Sequence, residues 1–216
     1  MSAAPSTPAA AGLPPRDLAV QARREQIVQA ATTTFARLGF AGASLRELAA
    51  EAGIEKGHLT YYFSTKEELL FEIVDRLHRR FTSGIRVWME SAAAGDEMLL
   101  HIFEQHLRLV FESTAATRVA YDNFRFLSGS ARAAVISQRA DYEDRLTTAI
   151  DAARRVSDID ATPTRRLTKV VLAQLNWPYQ WHTSRGRASD TKLARLLAHR
   201  ALASIRPLEL AGRTSI

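Results

Sequence analysis

The chain has 216 residues, of which 46% are hydrophobic and 24% charged, and no cysteine; this suffices for a sizeable core and excludes a disulfide framework or a thiolate zinc site. No apolar run approaches the roughly 18–20 residues needed to cross a bilayer, so no membrane association is expected and a cytoplasmic location is. The formal charge is +6 with a pI near 10.0, yet residues 1–70 carry 7 Lys+Arg against 7 Asp+Glu while residues 71–216 carry 22 against 16, so the basic surplus lies in the C-terminal part and cannot argue for nucleic-acid binding by the N-terminal part.

Residues 1–18 open with MSAAPSTPAAAGLPP, rich in Ala and Pro but without the basic start and Leu-rich stretch of a secretion signal, and are expected to be a disordered tail. A first helix begins after Pro14-Pro15 and runs to Leu38, with Ile27, Ala30, Ala31, Phe35 and Leu38 as its apolar stripe, and Gly39 stops it. Ser44 and Glu47 form a capping box at the start of a second helix whose inner stripe is Leu45, Leu48, Ala49 and Ala52. Gly53 breaks that helix, and the interval from Ala52 to Lys56 is the length of the turn in a helix-turn-helix. A third helix of about two turns follows.

Ser64 or Thr65 caps a long fourth helix reaching Trp88 or Met89 despite Gly84, with Leu69, Leu70, Ile73, Val74, Leu77 and Phe81 on its inner face. Further helices are predicted over residues 97–112, 117–127 and 131–155. Ser157–Ala161 reads as a loop, Thr162-Pro163 as N-cap and first residue of an eighth helix, and a last helix spans 189–205 with Leu193, Leu196, Leu197, Ala201 and Leu202 on one face. No period-2 alternation appears. The fold class is therefore all-α with about nine helices: a three-helix helix-turn-helix domain over 19–66, a helical domain over 67–206 and a tail over 207–216.

The third helix carries the sharpest functional signal. On a helical projection Leu59, Tyr62 and Phe63 fall on one side, and Gly57, His58, Thr60 and Tyr61 on the other. A face made only for solvation has Lys and Glu pairs; hydroxyls, an imidazole, a glycine and an aromatic instead suit base edges and sugars in a DNA groove. His58 lacks partners at metal-ligand spacing, so no metal is expected. Gly57 costs its helix about 1 kcal/mol relative to Ala, which close approach to DNA or tight helix packing could each explain. No Glu-x-x-His pair, phosphate loop, nucleophile elbow or zinc spacing appears, so neither enzymatic activity nor a cofactor is expected.

The run Ile27, Ala30-Ala31, Phe35, Gly39-Phe40, Ser44-Leu45-Arg46-Glu47-Leu48-Ala49, Ala52-Gly53-Ile54, Lys56-Gly57, Leu59, Tyr62-Phe63 and Lys66-Glu67-Glu68-Leu69 resembles the DNA-binding domain of tetracycline-repressor-type (TetR-family) regulators. The resemblance implies a homodimer that binds a palindromic double-stranded operator and a divergent C-terminal domain that binds a small effector and dimerises. It puts Ser44 at a phosphate, Arg46 at a base or phosphate, Lys56, Gly57, His58, Thr60, Tyr61 and Tyr62 on the recognition helix, and Lys66 as a clamp on the DNA backbone. Thr60 departs from the pattern, since the family usually has an aromatic directly after the leucine.

In the C-terminal part, Asn176-Trp177-Pro178-Tyr179-Gln180-Trp181-His182 ahead of Arg185-Gly186 resembles the subset of that family that responds to acyl-CoA thioesters, with a weaker echo in Arg139, Tyr142-Glu143 and Leu146. Trp177 and Trp181 lie one turn apart and Pro178 predicts a kink; both tryptophans suit either a ligand wall or a dimer interface. The expected ligand residues are Phe103, Leu107, Phe124, Arg125, Trp177, Trp181 and Arg185. The alternative is a regulator of efflux or drug resistance that responds to a hydrophobic small molecule.

Overall fold

The computed structural model describes residues 14–154 and 163–206. Most of the expected N-terminal tail, the expected loop Ser157–Ala161, the capping role given to Thr162 and the C-terminal tail lie outside them. The described residues form nine α-helices and no strand: α1 Pro15–Gly42, α2 Leu45–Glu51, α3 Lys56–Tyr62, α4 Lys66–Met89, α5 Gly95–Glu112, α6 Thr114–Asp122, α7 Gly129–Arg154, α8 Thr164–Asn176 and α9 Arg187–Ala203. Short 3-10 turns occupy Phe124–Phe126 and Trp177–Gln180. The chain divides into two compact units, Met1–Leu69 and Leu70–Ile216.

In the first unit α1 packs on α2, and α2 on α3. The core of this unit buries Ile27, Ala31 and Phe35 of α1, Leu48 of α2, Leu59 of α3 and Phe63. Burial of each such large side chain stabilises by roughly 1.5–3 kcal/mol. Gly39 adopts φ 71 and ψ 164, which interrupts the regular helix before a last turn to Gly42; a side chain would be strained there. Leu38, expected inside, is 37% exposed because the helix breaks directly after it. The helix also starts at Pro15, so residues 15–18 are helical rather than part of a tail.

Local bonds fix the helix-turn-helix. Ser44 Oγ accepts from the Glu47 amide at 3.2 Å, and the Ser44 amide donates to Glu47 Oε2 at 2.7 Å, the reciprocal capping box. At the other end Gly53 takes φ 64, and its amide donates to Ala50 O while that of Ile54 donates to Ala49 O. Gln26 Nε2 of α1 donates to Ala52 O at 2.9 Å and ties the turn to the core.

In the second unit α5 is the central helix, burying Leu99, Ile102, Phe103, Leu107 and Val110 and packing against α7, α8 and α9. Three boundaries and one buried stripe depart from expectation. The sixth helix starts at Thr114 and stops at Asp122, with Phe124–Phe126 as a separate turn. Pro163 is the N-cap of α8, not its first residue, because its ψ of 130 is extended. Pro178 ends α8 outright instead of kinking it: lacking an N–H for the Gln174 carbonyl, it leads into the tight turn Trp177–Gln180, and its own carbonyl accepts from the amides of Trp181 and His182. On α9 the buried stripe is Ala194, Ala198, Ala201 and Leu202, with Leu196 55% exposed, because small alanines seat the helix close along α5.

Candidate functional sites

The outward side of α3 presents Lys56, Gly57, His58 and Tyr61, all exposed, with Tyr61 at 83%. Leu59 on the opposite side is fully buried and fixes the rotation of the helix. Tyr62 is half-buried and meets Tyr61 edge-on, ring centroids 5.3 Å apart at 90°. Thr60 is half-buried and turned back on its own helix, donating to the carbonyls of Gly57 (2.9 Å) and Lys56 (3.2 Å). A Cβ built on Gly57 would meet nothing within 4 Å, so packing inside the protein does not require glycine there. Arg46 and Lys56 are exposed cations with no ion pair among the described residues.

Two residues expected at the DNA backbone have internal duties. Lys66 Nζ donates to Ala43 O at 2.7 Å and Phe40 O at 2.9 Å, and sits 4.7 Å from the centre of the Phe40 ring. It therefore satisfies carbonyls after the Gly39 break that have no helical partner, using two of its three donors. Ser44 is committed through both its amide and its side chain to Glu47, whose carboxyl is held below its usual pKa chiefly by the Ser44 hydrogen bonds. Arg24, not anticipated, lies 4.3 Å from the centre of the Phe63 ring and covers the core beneath α3.

The second unit contains a cavity of about 160 Å³ lined by Leu77, His78 and Phe81 of α4, His106 of α5, Tyr121 of α6, Arg139, Tyr142 and Glu143 of α7, and Leu172 and Asn176 of α8. Its floor is a bonded chain: His106 Nδ1 lies 2.7 Å from Tyr142 Oη and Nε2 3.0 Å from Asn176 Oδ1. A neutral imidazole protonated on Nε2 satisfies both, accepting from the tyrosine and donating to the amide. Burial pushes His106 down to about 4, and burial followed by the Arg139 charge does the same to His78. Arg139 Nε donates to His78 Nε2 at 3.3 Å and Nη2 to Ala120 O at 3.1 Å, which makes His78 a neutral acceptor.

These features can be set beside known proteins. A family model described as "Tetracyclin repressor-like, C-terminal domain" matches residues 92–205, and one described as "Bacterial regulatory proteins, tetR family" matches residues 27–73. The chain belongs to the TetR family. That family is one of bacterial regulatory proteins. The HTH-type transcriptional regulator RutR of Escherichia coli (strain K12) is 31% identical over 97 residues, 45% of this chain and 43% of RutR, so the chain spans under half the length of that TetR-type relative. The fold matches that of PfmR from Thermus thermophilus (TM-score 0.75, 23% identity, 84% of this chain and 99% of that one). It also matches AibR in complex with isovaleryl coenzyme A and operator DNA (TM-score 0.72, 23% identity, 82% and 97%).

Against this TetR-family frame, the residues expected to line one ligand pocket do not meet. Phe103 and Leu107 are fully buried core of α5. Phe124 is half-buried and stacks outside the cavity under Arg139, 4.3 Å from its guanidinium carbon. Arg125 is exposed and lies over Phe126, and Arg185 is exposed in the loop before α9. Trp177 and Trp181 are 62% and 51% exposed and line, with Ala173, Gln174, Pro178, Leu197 and Arg200, a separate surface cleft of about 380 Å³. The physical cause is the end of α8 at Pro178, which turns both tryptophans outward. Four of the cavity's polar groups, Arg139, Tyr142, Glu143 and Asn176, lie in the segments that resemble the acyl-CoA-responsive subset but were not expected as ligand residues; His78 and His106 were missed although a signal existed, since both sit at core-facing positions of apolar stripes, where a polar side chain needs buried partners.

Proposed function

We propose that the chain is a ligand-responsive repressor that grips a palindromic operator as a homodimer and is released when a small effector occupies the α4–α5–α7–α8 cavity. The observation that carries the proposal is the outward side of α3: an exposed Tyr61 beside a glycine that no internal contact requires, next to two unpaired cations. Arg46, Lys56, Gly57, His58 and Tyr61 are the DNA contacts; Ser44 fixes the start of α2, Tyr62 supports Tyr61, and Lys66 and Thr60 act mainly by holding the helices in place. The second copy docks on α8 and α9, where Val170, Trp177, Trp181 and Leu196 leave large apolar surface exposed.

Pockets for drug-sized ligands run to roughly 300–1,000 Å³, whereas this cavity is about 160 Å³, a size that favours a compact ligand over a bulky drug or a whole coenzyme A thioester, with its adenine nucleotide and pantetheine arm. The acyl-CoA reading draws support from the Asn176–Trp181 segment and from AibR, whose structure holds isovaleryl coenzyme A; on that reading only a short acyl group enters. Selection of bound duplexes from a random-sequence pool, with the particle mass measured by light scattering, tests the proposal. An inverted repeat with half-sites one helical turn apart, ~34–36 Å, bound by a dimer is expected. Absence of any enriched sequence would overturn it.

A further inference from the structure

The effector cavity contains one charge that the protein leaves unneutralised. Arg139 is half-buried at its wall, with the ring of Tyr121 5.4 Å and that of Phe124 4.3 Å from its guanidinium carbon. Among the described residues no carboxylate pairs with it. Its two hydrogen bonds go to neutral acceptors, the Ala120 carbonyl and His78 Nε2, so three of its five N–H donors remain.

The acids nearby are occupied elsewhere. Glu143, four residues further along α7 and on the same wall, faces Lys169 at 3.1 Å and Arg165 at 3.4 Å. Asp75 is taken by Arg79 at 2.7 Å and by Gln138. The remaining polar groups are also neutral: His106 and Tyr142 satisfy one another, and Asn176 gives its oxygen to His106 while its amide nitrogen has no partner among the described residues.

A partly desolvated cation without a counter-charge is costly, and a well-placed anion offsets part of that cost. The pull of burial on Arg139 is consistent, since it holds the guanidinium below its usual range. Leu77, Phe81 and Leu172 supply the apolar part of the same lining. A cavity of roughly 150 Å³ with such walls holds a benzene molecule.

Resting on the proposed effector role of this cavity, we infer that the ligand is a compact monocarboxylate with a benzene-sized or short branched apolar body, its carboxylate held by the Arg139 fork and its body against Leu77, Phe81 and Leu172. A bidentate guanidinium–carboxylate pair gives both the charge and the direction of approach. Asn176 Nδ2 is the second donor within the same cavity.

The test uses the full-length dimer and matched probes: benzoate, cyclohexanecarboxylate and 3-methylbutanoate, each with its primary amide and its coenzyme A thioester. Binding is read by calorimetry and melting temperature, and operator affinity is measured on the same samples. The free acids should bind about tenfold or more tighter than their amides, the scale of one charge-assisted pair, and Arg139→Gln should erase that preference while Arg139→Lys keeps part of it. Because the acid–amide comparison uses the unaltered protein, it stands even where Arg139→Gln fails to fold. Equal binding of acid and amide, binding of the thioesters alone, or no binding by any free acid would each overturn the inference. Operator binding that persists in any of those cases leaves the regulator reading intact, whereas ligand binding without operator affinity would sink that reading instead.

Discussion

The two compact units hold their unspent chemistry in opposite places. In the first, the core is apolar apart from the buried threonines Thr32 and Thr34 of α1, and the unpaired cations Arg46 and Lys56 and the Tyr61 ring face solvent. In the second, several arginines pair with neighbouring acids at the surface, as Arg165 and Arg145 do, while the interior keeps a guanidinium, two imidazoles and an amide around a small void. Outward polar chemistry on a rigid helix suits a partner as large as a duplex. Inward polar chemistry suits a ligand small enough to be enclosed, and the family's two-part organisation follows from that difference.

The contrast is broken most severely by removing the exposed groups of α3. Tyr61→Ala and Lys56→Ala should each weaken operator binding by on the order of a hundredfold, since one contact of about 1–3 kcal/mol is lost in both half-sites of a dimer, with melting temperature unchanged. Lys56→Ala should also flatten the dependence of affinity on salt, because a phosphate partner is removed.

Lys66→Met tests the opposite role within the same unit. Loss of the ammonium that serves the Phe40 and Ala43 carbonyls should cost about 2–3 kcal/mol of stability, the scale of charged hydrogen bonds, read as a lower denaturant midpoint of the N-terminal unit. An unchanged midpoint with weakened DNA binding would return Lys66 to a direct contact.

Acid probes the interior of the second unit. His78 and His106 titrate at about 4 in the folded protein, below the ordinary value near 6.5, so the unfolded chain binds more protons between those limits. Their contribution is present above about pH 6.5 and is lost as pH falls toward 4, by up to roughly 3 kcal/mol for each group. The neighbours that face them are Arg139, Asp75, Tyr142 and Asn176. His106→Gln should shallow the acid limb of a stability–pH curve; a curve flat between pH 7 and 4 would show that both rings are solvated.

Gly57→Ala gives the smallest effect and separates folding from recognition. Alanine should stabilise α3 by up to about 1 kcal/mol, because its methyl meets no atom of the protein, while operator affinity falls. Gain of affinity would show that no DNA backbone approaches this position.

The legibility of the chain follows the same division. The first unit is written in local rules, a capping box at Ser44 and Glu47, a left-handed glycine at Gly53 and an apolar stripe through Leu48 and Leu59, and each is read from residues within a few positions of one another. What sequence could not place were side chains whose partners are distant: Lys66 reaches back 26 residues to Phe40. In the second unit nearly everything that matters is of this kind. His106 meets residues 36 and 70 positions away, and Arg139 reaches His78 across 61. Conspicuous residues misled for the same reason, since Trp177 and Trp181 share one helix face only if α8 continues through Pro178.

The central claim is that the outward side of α3 is the DNA-reading surface, and the most direct measurement is an anisotropy titration of a labelled, selected operator duplex with the unaltered dimer, Tyr61→Ala and Lys56→Ala at one fixed salt concentration. Both variants should keep the melting temperature and dimeric mass of the parent while losing operator binding by about a hundredfold. Parental affinity in both variants would contradict the account.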